Sequence, residues 1–328
     1  MTIKEIGQML DDVGCKNLTI FDSFAKANTV INNPEYKNII CSISGGSDSD
    51  IVLDLCHRID EDKKIIYVWF DTGLEYQATK DHLIFLEQKY GVEILREKAK
   101  TPIPISNRKF GEPFLSKQVS EWISRLQQHD FQWEDESFDQ LIKKYPKCTA
   151  SLRWWCNAWD GDKSRYGICN NKGLKEFMLQ NPPSFKISNK CCQGAKKDVI
   201  KDVLKTYAAD LNIFGVRKAE GGARSQAYKT CYNTELDVPQ YRPIFWFTNE
   251  DKLEYEKVFG IQHSACYTEY GLTRTGCAGC PFNRKFEEEL DVILKHESRL
   301  YKGINNIFSE SYEYTRKYNE FKRTFESC

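Results

Sequence analysis

Ser44-Gly45-Gly46-Ser47-Asp48-Ser49 collects residue types that suit a phosphate chain. Adjacent glycines let a backbone approach an anion closely. Ser44, Ser47 and Ser49 add hydroxyl donors, and Asp48 can hold Mg²⁺ or fix the loop. A strand-like run, Asn38 to Ile43, enters this turn, and a helical pattern, Asp50 to Ile59, leaves it with no linker. The first N–H groups of a helix have no intrahelical partner, and the positive end of the helix dipole lies there, so the three pieces together form an anion cradle. An ordinary tight turn is the plain alternative, but Ser-Gly-Gly-x-Asp-Ser between strand and helix favours phosphate. The chain has no Gly-x-x-x-x-Gly-Lys-[Ser/Thr] and no Gly-x-Gly-x-x-Gly after a strand, so neither a Walker loop nor a dinucleotide fingerprint is present.

A second set of residues is made of thiols. Cys191 and Cys192 are adjacent, and Cys277-Ala278-Gly279-Cys280 forms a C-x-x-C closed by Pro281. Such a pair can be a zinc half-site, a redox pair or a cluster half-site. Arg217 and Arg224 follow a strand-like run, Leu211 to Val216, where a guanidinium can clamp phosphate or sulfate; a surface ion pair with Glu220 is the alternative. Lysines 186, 190, 196, 197, 201 and 205 make the strongest local basic patch, either a solvated face or a guide for a polyanion. The histidines show no metal spacing.

These residues need a scaffold, and the hydrophobic pattern supplies one. Residues 3–31 read as two short amphipathic helices. Strand 38–43, helix 50–59, strand Ile65–Phe70, helix Tyr76–Tyr90 and strand Val92–Leu95 then alternate, which predicts right-handed βαβ units and a parallel sheet. Asp71-Thr72-Gly73 lies just past the second strand, where open α/β sheets bind ligands. Three prolines predict an irregular loop over 101–118, and Asp130–Asp139 reads as an acidic surface insertion. Tyr241–Phe247 predicts a further strand and Thr248–Asp251 a helix start. Tyr314, Tyr318, Phe321 and Phe325 form a packing stripe. Cys41 and Cys56 read as core. Cys148, Cys156 and Cys169 around Arg153-Trp154-Trp155 could form a second site, but a crevice lining or plain core is the stronger reading.

The 328 residues carry 47 basic and 47 acidic side chains, so any binding of nucleic acid must come from a local patch. Thirteen cysteines without a signal-peptide core or membrane-length apolar run point to a cytoplasmic chain whose thiols serve ligation more than disulfides.

The glycine turn resembles the pyrophosphate loop of the adenine-nucleotide alpha-hydrolase superfamily, which includes ATP pyrophosphatases, nucleic-acid thiolases and sulfonucleotide (APS/PAPS) reductases. Lys190-Cys191-Cys192 with Lys196-Lys197, Gly215-Val216-Arg217 with Glu220 and Arg224, and the segment Gly271 to Phe282 resemble its PAPS reductase-like branch. The matching segments reach from about residue 38 to 285. The resemblance implies a Rossmann-like open, mainly parallel twisted α/β sheet with added N- and C-terminal helices. Its expected parts are a helical segment over 1–37, a nucleotide-binding domain over 38–260, and a cysteine segment with helices over 261–328.

The same resemblance implies an adenine nucleotide, ATP or APS/PAPS, on Ser44, Gly45, Gly46, Ser47, Asp48, Ser49, Asp71, Gly73 and Arg217, with Mg²⁺ accompanying ATP. Asp48, Arg217, Arg224 and Cys328 are the implied catalytic residues. The cysteine set is similar to the [4Fe–4S] ligands of assimilatory APS reductases, and some relatives of the branch carry a cysteine where this chain has Cys231. The implied ligands are therefore drawn from Cys191, Cys192, Cys231, Cys277 and Cys280, with Zn²⁺ as the alternative.

Three functions follow. One is ATP-dependent sulfur transfer, in which pyrophosphate is released and a donor protein supplies sulfur, as in thiolation of nucleic acid. The second is sulfonucleotide reduction to sulfite. It expects a Glu-Cys-Gly-hydrophobic-His tail, where this chain has Glu326-Ser327-Cys328. The third is nucleotide and cluster binding without turnover.

Overall fold

Four short runs that each hold isoleucine, and two polar-aromatic pairs, form the strands around which the chain is organised. In the computed structural model, which describes residues 1–221 and 227–326, these are β1 (Ile39–Ser42), β2 (Ile65–Asp71), β3 (Ile94–Lys98), β4 (Leu211–Phe214), β5 (Tyr232–Asn233) and β6 (Gln240–Tyr241). They form one sheet in the order β3-β2-β1-β4-β6-β5, parallel except for the β5–β6 edge pair. The mainly parallel α/β sheet expected from the sequence is therefore present. The chain runs outward from β1 through β2 to β3, then returns to place β4 on the other side of β1. That reversal makes the carboxyl ends of β1 and β4 the ligand-binding switch point of the sheet.

The chain forms two compact units, Met1–Lys100 with Lys196–Cys277 and Thr101–Ala195 with Ala278–Cys328. The first holds the whole sheet. Its core joins Ile39, Cys41, Ile43, Ile213 and Tyr241 to Ile20, Phe24 and Ile31 of the helix α2 (Leu18–Ile31), and to Ile6 and Leu10 of α1 (Ile3–Asp12). Two further helices flank the strands, α3 (Ser47–Ile59) and α4 (Gln77–Tyr90). Helix α3 starts three residues before the expected Asp50, inside the glycine turn itself. Cys41 and Cys56 are buried, as expected of core thiols.

The second unit has its own aromatic core. Phe114 packs against Tyr314 with ring centres 4.9 Å apart, and Phe177 lies 5.4 Å from Tyr318. The tyrosine stripe is therefore packing. Cys148, Trp154 and Trp155 are fully buried in the same core, and Cys169 is exposed.

Two element expectations change. The loop expected over 101–118 contains a helix, Ile103–Phe110. Its prolines stand at the N-cap and in the first turn, positions where a missing N–H breaks nothing. The strand expected over Tyr241–Phe247 shrinks to Gln240–Tyr241. Pro243 cannot donate to a ladder, and the chain turns at once, with Phe245 N–H bonded to Arg242 O and Phe247 N–H to Ile244 O.

Candidate functional site

Gly45 opens the turn after β1 with φ +69°, and a Cβ there would lie 2.7 Å from Thr79 Cγ2. Both facts require glycine. Ser49, the third residue of α3, knits the turn from inside. Its Oγ donates to Gly46 O at 2.8 Å and accepts the Ser44 and Gly46 N–H groups at 3.2 Å. Ser49 is thus a loop organiser, whereas Ser44 and Ser47 stand nearer solvent. The Ser47 N–H, at the helix start, donates to the Tyr267 hydroxyl at 3.2 Å.

The turn forms one wall of a cavity of about 650 Å³ within the first unit. Ser42 to Ser44 and Gly46 to Ser49 line it, together with Trp69, Phe70 and Glu75 from the β2 side and Asn212, Phe214 and Arg217 from the β4 side. The cavity therefore occupies the switch point that the strand order defines, and its size suits a small organic ligand.

Arg217 is nearly buried and donates through Nε to both Asp48 carboxylate oxygens at 3.0 Å. Its Nη1 donates to Asn249 Oδ1 at 3.0 Å, at the start of the helix Asn249–Phe259. The partner of Arg217 is Asp48, where the sequence offered Glu220. Arg224 and Cys328 lie outside the described residues. Asp71 ends β2 and accepts the Gly73 N–H at 2.8 Å; neither residue lines the cavity, and the same turn presents Glu75 instead. Burial raises the Glu75 carboxyl above its ordinary range against the opposing pull of Lys196 and of the Thr72 hydroxyl, which donates to it at 2.6 Å.

Sequence reading missed several residues that meet at this loop. Lys252 Nζ lies 2.5 Å from Ser47 Oγ and 2.9 Å from Asp48 Oδ1. Asp50 is buried in α3 and meets His263 Nδ1 at 2.8 Å, while His263 Nε2 meets Glu256 at 2.9 Å. His82 Nε2 approaches the other Asp50 oxygen to 3.1 Å, off the direction a hydrogen bond needs. Burial alone would lower the His263 pKa, but the two carboxylates outweigh it and raise it to about 9. The only signal in the sequence was Asp50 itself, an acid on the inward face of a helix that must find a buried partner.

The cysteines divide between the units. Cys231 and Cys277 belong to the first, and Cys191, Cys192 and Cys280 to the second. Cys231 leads into β5 at one sheet edge, whereas Cys277 Sγ is 3.5 Å from Thr72 Oγ1, just past β2. Four strand spacings of about 4.8 Å separate β5 from β2, far more than the two bonds that join thiolates on one metal. The structure thus does not bring Cys231 to Cys277. Among the described residues no group of three or more His, Cys, Asp or Glu side chains is arranged to hold a metal ion. Among the described residues no helix is long and apolar enough to cross a membrane.

Residues 38–150 match the family model of the phosphoadenosine phosphosulfate reductase domain. An uncharacterized 37.8 kDa protein of Escherichia phage 186 is 26% identical over 276 residues, 82% of this chain and 72% of the phage protein. Two solved structures are similar at low identity. A phosphoadenylyl-sulfate reductase from Candida auris, in a phosphate complex, is 13% identical with a TM-score of 0.40, over 84% of this chain and 96% of that one. The U34-tRNA thiolase NcsA from Methanococcus maripaludis, with its [4Fe-4S] cluster, is 13% identical with a TM-score of 0.40, over 93% and 81%. The matched stretch, residues 38–150, carries the glycine turn and three of the six strands.

Proposed function

We propose that the first unit binds ATP with its phosphate chain over Ser44–Ser49 and releases pyrophosphate as the first half of a sulfur transfer. The observation that carries this reading is the convergence of a glycine turn, a helix N-terminus and two cations, Arg217 and Lys252, at one switch-point cavity. An acceptor oxygen attacks the α-phosphorus, the bond from that phosphorus to the β-bridging oxygen breaks, and pyrophosphate leaves with the electron pair. Arg217, Lys252 and the Ser47 N–H offset the charge that builds on the leaving group. Mg²⁺ bound to the triphosphate would add to that neutralisation. Glu75, a buried carboxyl with a raised pKa on the cavity wall, is placed to accept a proton from the acceptor. A sulfur nucleophile, brought by a donor protein, then displaces AMP from the adenylated acceptor.

Lys196 and Lys197, which line the cavity, support a nucleic-acid acceptor, because basic side chains at the reacting centre raise the local concentration of a polyanion. The test is formation of AMP and pyrophosphate from Mg-ATP in the presence of RNA. For the cysteines, the sequence supports a thiolate-bound cofactor, iron–sulfur or zinc. Iron and acid-labile sulfide content after anaerobic purification decides between them.

A second reading is favoured by the family matched over residues 38–150. In it a thiolate attacks the sulfur of APS or PAPS, the sulfur–oxygen bond to the nucleotide breaks, and a dithiol donor releases sulfite from the resulting thiosulfonate. Its test is sulfite release from PAPS with a dithiol protein, lost in Cys328→Ser. Nucleotide binding with neither product marks a binding protein without turnover.

A further inference from the structure

Six charged side chains of the first unit form a chain of alternating sign that starts inside the protein and ends at the mouth of the glycine turn. Asp50, one hundredth exposed, holds His263; His263 holds Glu256; Glu256 lies 3.6 Å from Lys252; Lys252 and Arg217 share Asp48. Lys252 and Glu256 are one turn apart on the helix Asn249–Phe259, while Asp48 and Asp50 belong to the first turn of α3. The chain therefore locks the register of two helices at the point where a phosphate would arrive.

We propose that Lys252 is a ligand of the bound phosphate chain and that His263 is the positioning residue that aims it. This rests on the nucleotide reading given above. The ammonium already touches Ser47 Oγ at the first residue of α3, where the positive end of the helix dipole favours an anion. Without a phosphate, Asp48 holds both cations; an incoming pyrophosphate, with more charge, takes them over. Glu256 is the competitor. It sits four residues from Lys252 and would draw the ammonium back along its own helix. His263, between Asp50 and Glu256, neutralises that pull and leaves Lys252 at the loop. The other titratable or charged groups around this point are His82 from α4, which faces the second Asp50 oxygen, and Tyr267, whose ring lies 5.8 Å from His263.

The experiment is calorimetric titration of the full chain with Mg-pyrophosphate between pH 6.5 and 10, for wild type, Lys252→Met, Lys252→Arg, His263→Gln and Glu256→Gln. Lys252→Met should weaken binding by about 10-fold or more, the range of one charge-assisted hydrogen bond, with Lys252→Arg restoring part of it. Wild-type affinity should fall as pH rises through about 9, where His263 loses its proton. His263→Gln should bind several-fold more weakly at pH 7 and lose that inflection, and Glu256→Gln should bind as tightly at pH 10 as at pH 7. Thermal unfolding of each variant shows which ones fold, and Lys252→Met, at the rim of the fold, keeps the test open where His263→Gln does not fold. Wild type that binds pyrophosphate while Lys252→Met binds it equally well overturns this inference alone. Wild type that does not bind pyrophosphate overturns the nucleotide reading with it.

Discussion

Arg217 Nε donates to both carboxylate oxygens of Asp48, each at 3.0 Å, across the gap between the end of β4 and the start of α3. The pair spans the switch point of the sheet. It holds a nearly buried guanidinium beside the glycine turn. Asp48 thereby ties the glycine turn to the residues that follow β4.

Replacing Arg217 tests that arrangement. Arg217→Ala should weaken ATP binding by about 10- to 100-fold, the effect of losing a charge-assisted contact and leaving Asp48 unopposed near the phosphates. Arg217→Lys should recover only part of this, because an ammonium cannot reach Asp48 and Asn249 together as the guanidinium does. Equilibrium dialysis with ATP measures both. Unchanged affinity in Arg217→Ala would remove this residue from the site.

Gly45→Ala should damage both fold and site. The new Cβ would meet Thr79 Cγ2 at 2.7 Å in a backbone that already has φ +69°, at a cost of about 1–3 kcal/mol. Adding Thr79→Ser should recover the part due to contact and leave the part due to φ. Urea unfolding of the single and double variants separates the two.

His263 makes stability depend on pH. Its pKa is about 9 in the fold against 6.5 as the ordinary value. A raised value on a base means that its contribution is fully present below about pH 6.5 and is lost as pH rises through about 9. Wild type should therefore lose on the order of 2 kcal/mol of stability across that window, and His263→Gln should be flatter. Urea midpoints at pH 6.5 and 9.5 measure it; parallel curves for the two proteins would contradict the charge assignment.

Glu112, in the second unit, also costs stability as pH rises, over a lower range. Burial pushes its carboxyl to about 7, although the Ser311 N–H donates to it at 2.8 Å. A raised acid loses stability as pH climbs from about 4.5 to about 7, and the loss is complete above that. Glu112→Gln keeps an acceptor for Ser311 and removes the charge. It should stabilise the protein at pH 8 by on the order of 2 kcal/mol and leave it little changed at pH 4.5.

The parts of the fold legible in the sequence were those written in local pattern. Alternating apolar runs gave β1, β2, β3 and β4 with their helices, and the serine-glycine turn lies between β1 and α3, as its flanking patterns promised. Local pattern misled where one residue type has two uses. Pro102 and Pro104 read as loop formers and in fact start a helix, while Pro243 cut a strand that its apolar neighbours promised. The rest of the site was hidden because its partners are distant in the chain. Asp50, His263 and Lys252 share no spacing rule; only the packing of the helix Asn249–Phe259 beside α3 joins them. Cys231 shows the same limit from the other side, since a sequence neighbour of the Gly-x-Arg segment ends at the far edge of the sheet.

The central claim is that Ser44–Ser49 holds the phosphates of ATP and that the bond beyond the α-phosphorus is the one broken. Mg-ATP labelled in the adenine and in the γ-phosphate, incubated with the full chain, RNA and a sulfide donor under reducing conditions, reads this directly. AMP and pyrophosphate in equal amounts, both lost in Arg217→Ala and Lys252→Met, are the result expected. ADP with inorganic phosphate, or sulfite from PAPS with no pyrophosphate from ATP, would contradict it.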